Sequence, residues 1–476
     1  MLRKLLAIST GLIVLTACQQ DQGEVDIAIR DIAIVDIATG TVETGQTVLI
    51  DEGRIVAVQS RRDEPSFAAD QTLSGTGAYL MPGLWDMHVH LHVGTPEGLA
   101  IIDPARWHVP LSLSYGVTGM RDMASRMDDI VNLRDQLDAK REAGEAAPEL
   151  VIAGPLFSGP QPWGEPDHAV LPDSVDVARR QVGEHIRRGV DFIKVHDFLS
   201  QDIYKAIVDE ARQRNYQVVG HLRSDVGPLA ATDLGQRDFE HVPPEMLSYC
   251  RADGSARARS FYDNWFRSGP DYFMTAMVGL YDEQGCQALF AELAERDVTI
   301  TPTLTLRKPV SAQRFALSSD LLPDSYRDLC VQTRDANAAL SEAVFDNYDA
   351  MIREVITSLS SAGVTILAGT DRQTYACAVP GWDLIEELKA LVDAGLTRRE
   401  ALDAATISAA RKAGRDYPGQ IVNGAAADLI MLSGNPLENL DALKDPVAVI
   451  TGQTVLDTDA LARMRVEARD YAKTME

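Results

Sequence analysis

Short β-branched runs open the chain. Ile27-Ala28-Ile29, Asp31-Ile32-Ala33-Ile34-Val35, Thr47-Val48-Leu49-Ile50 and Arg54-Ile55-Val56-Ala57-Val58 are separated by turn residues such as Thr39-Gly40 and Glu52-Gly53. The texture returns near the end, in Gln420-Ile421-Val422, Ala427 to Leu432 and Val447 to Thr451. Two β segments flanking a long middle predict a small β-sandwich domain assembled from both termini, over 25–79 and 416–456. A helix follows over 457–476.

The middle, 80–415, changes period. Strand-like runs at 80–90, 116–122, 149–154, 191–196, 217–222, 238–242, 298–304 and 364–371 alternate with helical stretches. In Val175–Arg188, Gln201–Asn215 and Gln284–Arg296 the apolar residues recur at three and four. Eight βα units predict an α/β fold of the (β/α)8 TIM-barrel type, with reactive groups at the carboxyl ends of the strands. An aromatic-rich insertion at 244–280, with Tyr249, Phe261, Tyr262, Trp265, Phe266, Tyr272 and Phe273, breaks the rhythm, and so does a long helical stretch at 323–362. These, with the Pro/Gly-broken loop 155–172 and the loop 305–325, are the expected pocket walls, and 155–172 reads as a lid.

The first residues change the picture of where the chain works. Arg3 and Lys4 precede an apolar stretch from Leu5 to Val14 that is too short to span a bilayer. Leu15-Thr16-Ala17-Cys18 has the form of a bacterial lipoprotein box, so residues 1–17 read as a signal peptide, Cys18 as the lipidated residue and 18–24 as a polar tether. An ordinary signal peptide with an incidental cysteine is the alternative. With Gln19 after the cysteine, the expected location is the cell envelope, anchored at the outer membrane and facing the periplasm. A formal charge of -25 argues against nucleic acid, which demands a basic face. The expected partner is a small-molecule substrate, and a homo-oligomer is compatible with the sequence. Cys250, Cys286, Cys330 and Cys377 form no Cys-x-x-Cys motif; they are either free and buried or disulfide-bonded in one of three complete pairings.

Candidate chemistry sits at the strand ends. His88 and His90 are i and i+2 on one strand, so both leave the same face and can converge on one ion. Lys194 lies in an apolar run, where an unpaired cation is costly. His221, His241 and Asp371 end the later runs 217–222, 238–242 and 364–371. Taken singly, each could be a bonded core histidine or a helix-capping carboxylate. Together they are in register.

In these residues the chain resembles the amidohydrolase superfamily, specifically the imidazolonepropionase-like and prolidase-like branch. The resemblance also rests on Met81-Pro82-Gly83, Gly116-Val117-Thr118-Gly119-Met120-Arg121-Asp122, Ala368-Gly369-Thr370-Asp371, Ala404-Ala405-Thr406 with Ala409-Ala410, and Ala427-Asp428-Leu429-Ile430. It implies that His88, His90 and Asp371 hold one divalent ion and that His221 and His241 hold a second. A CO2-derived carbamate on Lys194 would bridge them. Zinc suits the donor set, with manganese, cobalt or iron as alternatives. A water activated between the ions would attack the scissile carbonyl, and Asp371 would take its proton and deliver it to the leaving nitrogen. The implied activity is hydrolysis of an amide bond in a dipeptide or N-acyl amino acid. Alternatives are a lactone, ester or phosphotriester hydrolase, a mononuclear cyclic amidine aminohydrolase, and an inactive barrel used as a binding scaffold.

Some positions stay open. Arg223 shares the face of His221 and reads either as a carboxylate-binding residue or as a salt-bridged surface arginine. His196 shares the face of Lys194 and either touches substrate or orders the lysine. His92, His108, His168 and His185 match no motif and read as structural or exposed. Tyr375 and Trp382 read equally as pocket lining or core.

Overall fold

A computed structural model describes residues 24–475, apart from 61–66, 94–97, 161–167, 224, 266–269, 339–340, 372–376 and 417. The proposed signal peptide, Cys18 and Tyr375 lie outside the described residues. Among the described residues no helix is long and apolar enough to cross a membrane.

The two terminal β segments share one eight-stranded sheet. The long strand Glu24–Asp36 pairs antiparallel with Thr41–Asp51, and parallel with Ala68–Ser74 along its first half and Tyr79–Pro82 along its second. Tyr79–Pro82 then pairs antiparallel with Leu429–Leu432, which joins the carboxyl-terminal strands Ala448–Thr451 and Thr454–Asp457. Ile27, Ile29, Ile32, Ile34, Val48 and Leu429 are part of a core of their own against this sheet. The final helix, Thr458–Ala472, follows directly.

The run expected as a single strand over 80–90 is two. Tyr79–Pro82 belongs to the terminal sheet and Leu84–Val89 to the barrel-like middle, with Gly83 between them. Pro82 lacks an N–H donor, which is consistent with the ladder ending there. Sequence periodicity does not see the switch, because both halves are apolar.

The middle consists of parallel strands with helices between them. Leu84–Val89, Val117–Asp122 and Glu149–Ile152 form one sheet. Ile193–Val195, Val218–Gly220, Asp238–Glu240, Thr299–Thr301 and Thr365–Ile366 pair successively in a second. All eight expected strands are present, most of them shorter than expected because their carboxyl ends turn outward into the site. The segment expected as an irregular loop, 155–172, contributes two further short strands, Leu156–Phe157 and Ala169–Val170, to the second sheet. Hydrogen bonds link the sheets at both seams: the Met87 N–H donates to the Ala368 carbonyl at 3.0 Å and Asp371 N–H to the His88 carbonyl at 2.8 Å, and Asp191 N–H donates to the Ile152 carbonyl at 2.8 Å. Phe192 and Val219, each two residues before a site residue, pack with Trp85, Met87, Val151 and Leu367 into an apolar plug. Burying a phenylalanine there contributes roughly 2–3 kcal/mol.

The insertions are helical. Pro244–Ser248, Gly254–Trp265 and Pro270–Leu280 cover the first, and Asp324–Ala338 with Glu342–Ala362 make up most of the second. The cysteines pair as Cys250–Cys286 and Cys330–Cys377, so the free-thiol alternative is set aside. Each disulfide ties an insertion to the frame. Trp382 is buried at the start of helix Trp382–Asp393, with the Arg314 guanidinium 5.5 Å from its ring; it is a core residue. His185 is also structural, bonded to the carbonyls of Gln181 and Pro155.

Candidate metal centre

Strand ends bring the expected residues together. His88 and His90 emerge from Leu84–Val89, and their Nε2 atoms lie 3.3 Å apart. His221 and His241 follow Val218–Gly220 and Asp238–Glu240, and their Nε2 atoms lie 3.2 Å apart. Asp371 stands between the pairs: its Oδ1 is 3.1 Å from His90 Nε2 and 3.4 Å from His88 Nε2, and its Oδ2 is 3.7 Å from His241 Nε2. Lys194, 1% exposed, is set on Ile193–Val195 beside these strands.

The opposite ring nitrogens are occupied. His90 Nδ1 is 3.1 Å from the Ala124 carbonyl, which can only accept, so the proton is on Nδ1. His88 Nδ1 meets Glu240 Oε2 at 2.7 Å, and His221 Nδ1 meets Asp197 Oδ1 at 2.9 Å. His241 Nδ1 meets Thr303 Oγ1 at 2.7 Å. Where the partner only accepts, as for His88, His90 and His221, a neutral imidazole turns its Nε2 lone pair inward, whereas the Thr303 hydroxyl can donate to or accept from His241. Such an arrangement is disfavoured unless a cation or shared proton lies between, and carboxylate– or carbonyl–histidine pairs of this kind orient metal ligands. The donor set therefore fits divalent ions: four imidazole nitrogens and a carboxylate suit zinc and its neighbours. The donor atoms of His88, His241 and Asp371 lie within 4.8 Å of one another, as do those of His196, Asp197 and His221.

Local backbone is bent to aim these groups. His241, Thr303 and Asp371 have φ of 66°, 48° and 47°, a left-handed conformation unfavourable for residues with a Cβ. Gly369 lets the last strand end approach the first. A Cβ there would come within 2.8 Å of the His88 backbone nitrogen and Cβ. At Gly220, φ 126°, a Cβ would meet the Val195 carbonyl at 2.0 Å and the Lys194 stem at 2.9 Å.

Electrostatics follow from burial and pairing. Desolvation lowers the Lys194 amine, against the pull of Glu240 and Asp371. Burial alone would raise the Asp371 carboxyl, but His88, His90 and His241 outweigh it and hold it well below the usual carboxylate range. Burial lowers His88, His221 and His241, keeping them in the neutral form that ligates. For His90 the bond to Asp371 outweighs burial and raises it.

Two functional groups escape sequence reasoning. Glu240 is completely buried, bonded to His88 and at 2.8 Å to Arg121 Nη2, whose Nε donates to the Met87 carbonyl at 2.7 Å. Asp86 accepts from Thr370 N–H at 3.0 Å, Thr370 Oγ1 at 2.8 Å and His88 N–H at 3.2 Å, and burial pushes its carboxyl up to about 7. Both lie beside motif residues, at i−1 of His241 and i−2 of His88. Their charge in apolar runs was the available signal.

A cavity of about 240 Å³ opens on His221, His241 and Asp371. A second, of about 370 Å³, adjoins it. His196 lines both, its ring 4.2 Å from that of His221, and so faces the substrate space. Arg223 lines the second cavity and forms an ion pair with Asp225, 2.5 Å from Nε and 2.8 Å from Nη2, as its salt-bridged reading expects. Of the unassigned histidines, His168 approaches the site, its ring 6.3 Å from that of His90.

The amidohydrolase family model matches residues 79–454. Ochratoxinase of Aspergillus niger is 26% identical over 418 residues, covering 78% of this chain and 73% of its own. Among solved structures, a protein described as a prolidase from Bifidobacterium longum is 25% identical, with a TM-score of 0.61 over 93% of this chain and 98% of that one. Bottromycin amidohydrolase is 20% identical, with a TM-score of 0.69 over 94% and 90%; it shares the fold. The chain belongs to the amidohydrolase family and is a hydrolase acting on amide bonds.

Proposed function

We propose that this chain is an exported, binuclear metal-dependent amidohydrolase of the prolidase-like branch, cleaving the amide bond of a dipeptide or N-acyl amino acid. The observation that carries the reading is the pair of histidine pairs, Nε2 atoms facing inward across Asp371, beside a buried lysine. The linking bonds from Met87 to Ala368 and from Asp191 to Ile152 support a closed eight-stranded barrel around it, and the terminal sheet a separate β-sandwich domain.

His88, His90 and Asp371 would hold one ion and His221 and His241 the other. Bound ions supply Lewis acidity toward the carbonyl and lower the pKa of water. Lys194 is suited to carbamate formation because burial favours its neutral amine, the form that adds CO2. The N–C bond forms, a proton leaves, and a buried neutral amine becomes an anionic two-oxygen ligand. Asp371 accepts the proton of the attacking water and passes it to the leaving nitrogen, which departs as a neutral amine. The prolidase named among the similar structures supports a peptide-like substrate. Two disulfides support an oxidising compartment and hence export, as the lipoprotein box at Cys18 implies.

The test is a hydrolysis panel on zinc-loaded protein, with dipeptides and N-acyl amino acids beside lactones, esters and cyclic amidines. Amide turnover is expected, with two metal ions per chain. Lys194→Ala is expected to lose at least one of them and at least 100-fold in kcat. Full metal content and activity in that variant would end the carbamate-bridged reading.

A further inference from the structure

The two cavities beside the site differ in chemistry. His196, Asp197, His221, Glu245 and Tyr262 line both and so mark the waist where they meet. Beyond it the first cavity is walled by Val242, Phe273, Leu304, Phe345, Tyr348 and Ile352, contributed largely by the helices Pro270–Leu280 and Glu342–Ala362. Its outlying charges are paired: Lys308 with Asp393 at 3.5 Å, and Asp349 with Arg353 at 2.7 Å. The second cavity carries Arg223 and Arg259, from separate elements. Asp225 pairs with Arg223 along its Nε–Nη2 side, and a guanidinium has a second edge, Nη1–Nη2, with which it can meet a further carboxylate. Arg259 donates to Ser255 Oγ at 2.9 Å. The acids of this lobe are Asp197, bound to His221, Asp263 on the exposed face of helix Gly254–Trp265, and Glu245.

A substrate crossing the waist places one half in each lobe. In a free dipeptide the α-ammonium would lie one carbon from the scissile carbonyl, close to the waist. The four carboxyl groups near the waist are all engaged: Asp197 with His221, Asp371 with His88 and His90, Glu240 with His88 and Arg121, and Glu245, 2% exposed, with Tyr262. An ammonium there would be desolvated without an uncommitted carboxylate to meet it, which is costly. An uncharged acyl group meets no such cost and gains by covering the aromatic wall.

Building on the amide-hydrolase reading, we propose that the substrate is an N-acyl rather than a free amino-terminal compound. Its bulky apolar acyl half fills the Phe345 lobe and its carboxylate lies toward Arg223 and Arg259.

The decisive pair is N-(3-phenylpropanoyl)leucine and phenylalanylleucine, which differ by one ammonium. N-acetylleucine and the carboxamide of the first compound complete the set, all assayed on metal-loaded enzyme. The phenylpropanoyl compound is expected to exceed each of the others at least tenfold in kcat/KM. Phe345→Ala is expected to raise its KM at least fivefold and to leave that of N-acetylleucine within twofold. Arg223→Gln is expected to shrink the gap between acid and carboxamide to less than threefold. Equal or faster cleavage of phenylalanylleucine would overturn the inference while leaving amide hydrolysis standing. Cleavage of esters or lactones with no amide turned over would remove the amide reading itself, and the inference with it.

Discussion

The two histidine pairs face their Nε2 atoms inward alike, at 3.3 and 3.2 Å, but with different support. His88 and His90 come from one strand, two residues apart, and are nearly sealed, their side chains 1% and 9% exposed. His221 and His241 come from two strands and stand at the cavity edge, 19% and 25% exposed. The first pair is locked by buried charge, since Glu240 joins His88 to Arg121 and Arg121 reaches Thr301 Oγ1 at 3.1 Å. Burial would raise the Glu240 carboxyl, but Arg121 and His88 outweigh it and drive it down. The second pair is held by Asp197 and Thr303 at the rim. The sealed pair is part of the fold's own electrostatics; the open pair faces the cavity and lies outside that buried network.

Asp371 belongs to both pairs, so its loss is expected to be the most damaging. Asp371→Asn keeps the shape but removes the proton acceptor, and kcat should fall by about 10³-fold. Metal content measured on the same sample separates lost chemistry from a lost ligand. If kcat fell less than tenfold, another group would be the base.

Glu240 comes next, as the strongest test of the sealed side. Glu240→Ala leaves the Arg121 guanidinium buried without its carboxylate, which typically costs about 3–5 kcal/mol. A large drop in the denaturant midpoint is expected even in metal-free protein. Glu240→Gln keeps the bond to His88 and removes the charge, so it should recover part of that loss. Unchanged stability of the alanine variant would mean that the sealed pair is not supported as argued.

How much of this was legible follows from the same contrast. The ligand candidates stood out because an imidazole or lysine at the end of an apolar run conflicts with burial, and their strand-end register supplied the rest. The supporting groups did not stand out. Glu240 is a lone acid beside a motif histidine, and its role depends on Arg121, 119 positions away, reaching it from the other parallel sheet. Period-two reasoning placed His196 and Arg223 on the right faces. It could not show that Arg223 leans on Asp225, because that contact is set by the turn after the strand. The switch of sheets at Gly83 and the added strands Leu156–Phe157 and Ala169–Val170 depend on tertiary pairing, for which two- and four-residue segments carry no signal of their own.

The open pair gives the finer test. Asp197→Asn keeps a hydrogen-bond acceptor for His221 Nδ1 but removes the negative charge that makes the imidazole a better donor. Outer partners of this kind are worth about 10–100-fold in metal affinity. Metal binding should therefore weaken at one ion and not at both: the ion held by His221 and His241 should exchange first under a chelator, while stability of the metal-free protein stays nearly unchanged. Thr303→Val removes a neutral bond to His241 at the same rim, and a single neutral hydrogen bond contributes about 1 kcal/mol. Its effect on the same ion should be several-fold smaller than that of Asp197→Asn. Should the valine variant lose metal as readily as the asparagine one, the orientation of the ring rather than the charge behind it would be the property that Asp197 and Thr303 share, and the contrast between a charge-locked pair and a tunable pair would narrow to a difference in exposure alone.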